Sequence, residues 1–186
     1  MKKIIGAFAL MFAMTMTASA VSIAWSSTAV AFGGGDPLKK DTGVTAYLVY
    51  LSDGAFGSYT ITDTFKASDV GTVVSTDTDG TNKGALSTGT FQFDYGAYTN
   101  GDKFGLVLSY VSEGKTYWNL SGNVQALDGI TSEIATPTAW NDYSVSTSVS
   151  TTSSASSGSG WTAVPEPSTA MLALAGLALL IKRRRA

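Results

Sequence analysis

The sequence of 186 residues contains neither cysteine nor histidine. Such a chain forms no disulfide and no Cys- or His-ligated zinc site, and it has no Cys nucleophile or His general base. Charged residues make up only 14% of the chain, and the formal net charge is −2. Because Lys and Arg are not in excess, we expect no basic surface and no nucleic-acid partner.

The first 20 residues have the pattern of a secretory signal peptide. Two lysines precede an apolar run at 4–16, and small residues including Ala18 and Ala20 follow it. At ~1.5 Å per residue the run spans about 20 Å, which is shorter than the ~30 Å hydrocarbon core of a membrane. We predict cleavage after Ala20, with Ala31 as the alternative cleavage site.

The C-terminal residues combine three features: the tripeptide Pro165, Glu166 and Pro167, an apolar run at 169–181, and a basic cluster. The run is rich in Ala and Leu, which favour a helix. It is short for a lasting membrane span. By the positive-inside rule, the cluster predicts a cytoplasmic stop signal. The cluster consists of Lys182, Arg183, Arg184 and Arg185.

This arrangement resembles the PEP-CTERM sorting signal of exported bacterial proteins over residues 164–186. The resemblance implies an exosortase-like partner, which is a membrane-embedded, transpeptidase-like enzyme that cuts near the Pro-Glu-Pro motif. It also implies transient attachment to the inner membrane and then a place at the cell surface or in the extracellular matrix, with exopolysaccharide as a further partner. The alternative is a permanent single-pass tail anchor.

A segment rich in Ser and Thr precedes this tail. In residues 144–160, 12 of 17 residues are Ser or Thr, and none is charged or aromatic. Such a composition offers little apolar area to offset the entropy cost of ordering. We therefore predict a flexible linker over 144–163, with Trp161 near the membrane interface.

The remaining residues, 21–143, predict one all-β domain. Short segments rich in β-branched and aromatic residues alternate with turn residues. We predict a single antiparallel β-sandwich or jelly-roll-like domain, with hairpins at Asn100-Gly101 and Glu113-Gly114. The segments are 22–32, 43–51, 57–65, 70–76, 88–98, 103–111 and 115–127.

Any catalytic site in this chain would be built from Asp, Glu, Lys, Tyr, Ser and Thr. A pair of Asp or Glu residues can hydrolyse glycosides, but the acidic residues lie mostly beside turn residues, where local hydrogen bonding explains them. A weak calcium candidate consists of Asp77, Asp79 and Asn82. The surrounding loop does not match an EF-hand, because Ser75 and Leu86 occupy its first and twelfth positions. We predict no catalytic residues and no cofactor.

Three aromatic residues are candidates for sugar stacking: Trp118, Trp140 and Tyr143. Aromatic residues in a sandwich more often pack in the core. The sequence therefore favours an exported surface or matrix protein with a structural or adhesive role. The alternative hypothesis is a carbohydrate-binding module, and the third is a small glycosidase.

Overall fold

The computed structural model describes residues 20–27, 32, 43–78, 89–130 and 137–165. In these ranges the regular structure is β-strand, apart from one 3-10 turn at Ala67–Asp69. The predicted all-β class is confirmed. The strands are β1 Ala20–Ser27, β2 Thr45–Leu51, β3 Tyr59–Thr60, β4 Thr72–Thr78, β5 Gly89–Asp94, β6 Lys103–Ser112, β7 Lys115–Ala126, β8 Trp140–Tyr143, β9 Val149–Ser150, β10 Ser154–Ala155 and β11 Trp161–Ala163.

A six-stranded sheet in the order β4-β2-β6-β7-β11-β9 forms the centre of the domain. Its longest pairing is the antiparallel β6–β7 hairpin. The turn residues Glu113 and Gly114 have φ values of 50° and 77°, and this left-handed backbone matches the twist of the two strands. The hairpin predicted at Glu113-Gly114 is therefore confirmed.

A three-stranded sheet in the order β5-β1-β8 covers one face of the large sheet. In β1 the side chains of Val21, Ile23 and Trp25 are buried, whereas Ser22 is exposed. β1 pairs antiparallel with β5 and parallel with β8. A second parallel pair is β9 with β11. The prediction of a wholly antiparallel domain was therefore wrong.

The other face of the large sheet is covered by the segment around β3 and β10. There, Val107 and Leu120 of the sheet pack with Ile61, Phe65 and Ala155. Because both faces are covered, the central strands bury residues of both parities. In β6, each residue from Phe104 to Leu108 is buried.

The turn at Asn100-Gly101 does not form a hairpin. β5 pairs with β1 in the small sheet, and β6 lies in the large sheet. Their aromatic rings meet across the core, with the Phe91 and Phe104 ring centroids 5.3 Å apart. The predicted hairpin was wrong because a turn residue pair marks a change of direction without fixing which sheet receives the next strand.

Residues 144–163 do not form the predicted linker. They contribute β9, β10 and β11, and the side chains of Val145, Ala155 and Trp161 are buried, with exposures of 8%, 0% and 0%. The large sheet pairs β11 with both β7 and β9. The predicted domain boundary at 143 and the membrane-interface position of Trp161 were therefore wrong.

The hydroxyl groups of this segment explain how so polar a sequence folds. β7 contains a bulge where its register against β6 shifts between Gly105 and Val107. The Ser157 hydroxyl donates to the Ser121 carbonyl at 2.8 Å, and the Gly122 amide donates to the Ser144 carbonyl at 2.7 Å. At the bulge, backbone groups of β7 do not pair with β6, and the Ser-rich segment supplies their hydrogen-bond partners.

The predicted signal peptide and the predicted helix at 169–181 lie outside the described residues, except for Ala20 in β1. In the part of the chain that the structure describes, no helix has the length and hydropathy needed to cross a membrane.

Candidate functional site

The chain leaves the domain through strand β11. Thr162 lies opposite Trp118 of β7, and Ala163 lies opposite Tyr117. The Val164 amide then donates to the Thr116 carbonyl at 2.8 Å. The next residue, Pro165, is exposed. Val164, which bonds to β7, therefore lies directly before the first residue of the Pro-Glu-Pro motif.

Trp161 fixes this exit. Its ring centroid lies 5.9 Å from that of Phe32 and 6.1 Å from that of Tyr110. Its backbone amide donates to the Ser148 carbonyl at 2.7 Å. Edge-on aromatic contacts of this kind add to the stabilisation that burial gives, so Trp161 holds the last strand in the core.

Gly160 allows the chain to enter β11. Its φ of +93° lies in the left-handed region, and a Cβ at this position would clash with the Ser148 carbonyl. Glycine is the residue that combines this backbone with such a close approach. The sequence alone contained one sign of this arrangement, namely Gly-Trp at the end of the Ser-rich segment.

The remaining residues of the predicted sorting motif lie outside the described part of the chain, as do Ala18 and Ala31. The sorting-motif residues outside the described part include Glu166, Pro167, and the basic cluster of Lys182, Arg183, Arg184 and Arg185.

The family comparison assigns the tail. Residues 163–186 match the family model of the PEP-CTERM protein-sorting motif. The resemblance found in the sequence is thereby confirmed for the tail. The PEP-CTERM motif implies processing by an exosortase, a membrane enzyme, and directs export to the cell surface through the inner membrane. No curated protein and no solved structure matched the chain.

The three aromatic residues predicted for sugar stacking are buried. Trp118, Trp140 and Tyr143 have exposures of 7%, 4% and 0%. The Trp140 indole donates to the Ala126 carbonyl at 3.1 Å, and the Tyr143 hydroxyl donates to the Phe104 carbonyl at 3.4 Å. Because their ring faces are covered, these residues serve the core, and the stacking surface predicted from them was wrong.

The weak calcium candidate is described only in part. Asp77 lies in β4, and its Oδ1 accepts a hydrogen bond from the Thr78 amide at 3.0 Å. Asp79 and Asn82 lie outside the described residues. Within the described ranges, His, Cys, Asp and Glu form no group of three or more that could hold a metal ion.

A surface cavity that the sequence did not indicate lies where the chain crosses from β5 to β6. Its volume is about 360 Å³. Tyr95 is 42% exposed, and burial, followed by the nearby Tyr50 and Asp102, raises the pKa of Tyr98. The Tyr98 hydroxyl thus keeps its proton at neutral pH. The lining residues are Tyr95, Gly96, Tyr98, Thr99, Asn100 and Ile130.

Two hydrogen bonds hold the rim of this cavity. The Asn100 side chain donates to the Ile130 carbonyl at 2.7 Å and accepts from its amide at 2.9 Å. The same Asn100-Gly101 pair was interpreted as a hairpin turn in the sequence. The cavity could not be found there because Ile130 and Tyr95 come together only in the folded domain.

Proposed function

We propose that this chain is an exported bacterial protein whose β domain has a non-catalytic structural or adhesive role at the cell surface after an exosortase has processed its tail. The observation that supports it best is the PEP-CTERM match at 163–186. The exposed Pro165, directly after the last strand, supports it as well. A processing enzyme can therefore reach Pro165, the first residue of the motif, without opening the domain.

The composition of the domain supports a non-catalytic role. The chain lacks Cys and His, which are the usual nucleophile and general base. In the described ranges, the buried Asn119 and Ser121 are engaged in the fold: the Asn119 amide donates to the Ser146 carbonyl, and the Ser121 hydroxyl accepts from the Leu106 amide. No observation among the described residues favours the glycosidase reading.

The sorting proposal is tested by replacing Pro165, Glu166 and Pro167 with alanine and fractionating the cells. We expect the precursor to stay in the inner membrane and surface display to be lost. The matched control replaces the exposed loop of Thr62, Asp63 and Thr64 with alanine, which also removes one acid. Unchanged processing and display of the first variant would refute the proposal.

The fold also supports signal-peptide cleavage after Ala20. Cleavage at the alternative site, Ala31, would remove β1 and with it the buried Val21, Ile23 and Trp25. At about 1.5–3 kcal/mol for each large apolar side chain, the loss of the three is comparable to the whole net stability of a typical domain. We expect mass spectrometry of the exported protein to find Val21 at its N-terminus; an N-terminus after Ala31 would contradict this.

A second candidate function is carbohydrate binding at the cavity beside Tyr95. Sugars bind where an aromatic ring is accessible and polar groups stand next to it. The cavity offers Tyr95 together with the hydroxyls of Tyr98 and Thr99. The candidate site for carbohydrate binding is therefore this cavity and not the buried aromatic residues.

Binding of the purified domain to a panel of bacterial exopolysaccharides tests this candidate. We expect Tyr95→Ala to abolish binding. Val73→Ala, a change at an exposed apolar residue of β4, should leave it intact. Absence of binding by the unmodified domain, or equal binding by both variants, would rule out the Tyr95 cavity as the site.

A further inference from the structure

The direction of β11 defines one end of the domain. β11 runs antiparallel to β7, towards its first residues, and Val164 bonds to Thr116. The chain therefore leaves beside the tip of the β6–β7 hairpin. We call this region the exit end: residues 111–115 together with the exposed Thr151, Thr152 and Pro165.

The exit end differs from the opposite end of the large sheet. At the exit end Val111 is 62% exposed, and the hairpin tip carries one acid, Glu113, and one base, Lys115. The opposite end carries more acidic than basic residues, because three acids lie there beside the base Lys103. An acidic end is repelled by anionic lipid headgroups, whereas a tip of balanced charge is not. The acidic residues there are Asp53, Asp102 and Asp128.

The length of the connection limits the distance between the domain and the membrane. From Val164 to Thr169, the first residue of the apolar run, there are five residues, which extend at most about 17 Å. The headgroup layer takes up roughly 5–8 Å of this. The hairpin tip projects past Thr116 by two to three residues, or about 7–10 Å. It therefore fills most of the remaining distance between the domain and the headgroups.

We propose that, until the tail is cut, the exit end of the domain rests on the phospholipid headgroups of the inner membrane. The inference rests on the proposed insertion of the PEP-CTERM tail into that membrane. It adds which surface of the domain meets the lipid: the hairpin tip with Val111, while the acidic end points away.

The absence of cysteine from the chain allows a clean test with single-cysteine labels. Glu113→Cys places an environment-sensitive fluorophore at the hairpin tip. Asp53→Cys is the matched control, because it also removes one exposed turn acid, at the opposite end. The tail-bearing protein from cells without the processing enzyme is inserted into vesicles of phosphatidylethanolamine and phosphatidylglycerol that carry a headgroup quencher.

We expect several-fold stronger quenching at position 113 than at 53, and we expect a flexible Gly/Ser spacer of about 20 residues between Val164 and Pro165 to remove the difference. Equal quenching at both positions, or none at 113, would overturn the inference. Persistence of the difference with the spacer would also overturn it, because the short connection would then not be its cause.

Flotation of the protein with the vesicles separates this inference from the proposed function. Flotation without quenching at 113 refutes the orientation alone. Failure to float refutes both the insertion of the tail and the orientation. Lys115→Cys gives a second label at the tip, and Trp fluorescence confirms that each labelled variant is folded.

Discussion

The β6–β7 hairpin shares the large sheet with β9 and β11 of the segment 144–164, yet the two sequences have little in common. The hairpin buries many apolar side chains, including those of Phe104, Leu106, Val107 and Leu108 in β6 alone. The segment 144–164 is mostly Ser and Thr, and it enters the core through Val145, Ala155 and Trp161. The hairpin is stabilised by the apolar area that it buries. The segment depends on a few buried side chains and on hydrogen bonds to the already folded β7.

Composition therefore predicts disorder only for a segment that must fold by itself. A Ser-rich chain cannot offset its ordering entropy alone. Against the bulge of β7 it gains backbone partners, such as the carbonyl of Leu120 for the Gly158 amide at 3.1 Å. The segment is therefore expected to be the part of the domain that opens first.

The largest expected effect follows from removing the main anchor. Trp161→Ala should cost about 3–5 kcal/mol, because the indole is fully buried. We expect the segment 144–164 to exchange its amide hydrogens fast while the β6–β7 hairpin stays protected, as measured by hydrogen exchange with mass spectrometry.

Two variants sharpen this result. Leu120→Ala, in the hairpin, should cost about 2–5 kcal/mol and speed exchange in both regions together. Val149→Ala, at a residue 41% exposed in the same segment, should change stability by less than about 0.5 kcal/mol. If Trp161→Ala and Leu120→Ala give the same exchange pattern, the two regions do not differ in the way described.

The second effect concerns the entry into β11. Gly160→Ala should cost about 1–3 kcal/mol, because it combines a positive φ with a clash against the Ser148 carbonyl. Gly114→Ala also has a positive φ, but a Cβ there would meet nothing within 4 Å. Its cost should be limited to about 1–2 kcal/mol. Urea unfolding of both variants measures the difference, and equal costs would show that the close approach is unimportant.

The third effect depends on pH and concerns the link between the hairpin and β8, the strand that directly precedes the segment 144–164. Burial raises the pKa of Tyr143, whose hydroxyl bonds to β6. The stability that this neutral hydroxyl supports is complete below the unfolded pKa, near 10, and decreases as the pH rises from there towards the raised folded value. Each pH unit in that window should remove about 1.4 kcal/mol.

Tyr143→Phe isolates this contribution. At neutral pH the variant should lose about 0.5–1.5 kcal/mol for the missing hydrogen bond. Near pH 11 the deficit should shrink or reverse, because phenylalanine does not ionise in the unfolded chain. Urea unfolding at both pH values measures the two differences. Parallel stability curves for the two proteins would contradict the assignment.

The smallest effect tests the hydroxyl contacts of the Ser-rich segment. Ser157→Ala removes the donor to the Ser121 carbonyl and should cost about 0.5–1.5 kcal/mol. Thr151→Ala, at an exposed position of the same segment, should be close to neutral. Thermal unfolding of the two variants checks this, and equal melting temperatures would mean that the serine contact adds nothing.

The sequence predicted the strands that bury their own apolar faces. In β2 and β6, alternation and turn residues locate the strands, and the hairpin at Glu113-Gly114 follows from local chemistry alone. Tyr117 and Trp118 pack in opposite cores, as adjacent positions on a strand require.

What the sequence did not predict depends on contacts distant along the chain. The parallel pairing of β1 with β8, the crossing from β5 to β6, and the docking of 144–164 each join segments that carry no local sign of one another. The burial of Trp140 and Tyr143 has the same origin, because β8, which carries both residues, joins the small sheet only by pairing with β1. The cavity beside Tyr95 needs Ile130 for its rim.

The position of β1 has a consequence for the time course of folding. Trp25 lies beside Trp140, and Val21 beside Phe93, so the first strand of the domain waits for partners made much later. Such non-local pairing gives a high contact order, and domains of this kind fold in milliseconds to seconds. The six-stranded large sheet is likewise complete only when β11, the last strand before the Pro-Glu-Pro motif, is in place. The domain thus needs residues that directly adjoin the sorting motif in order to complete its fold.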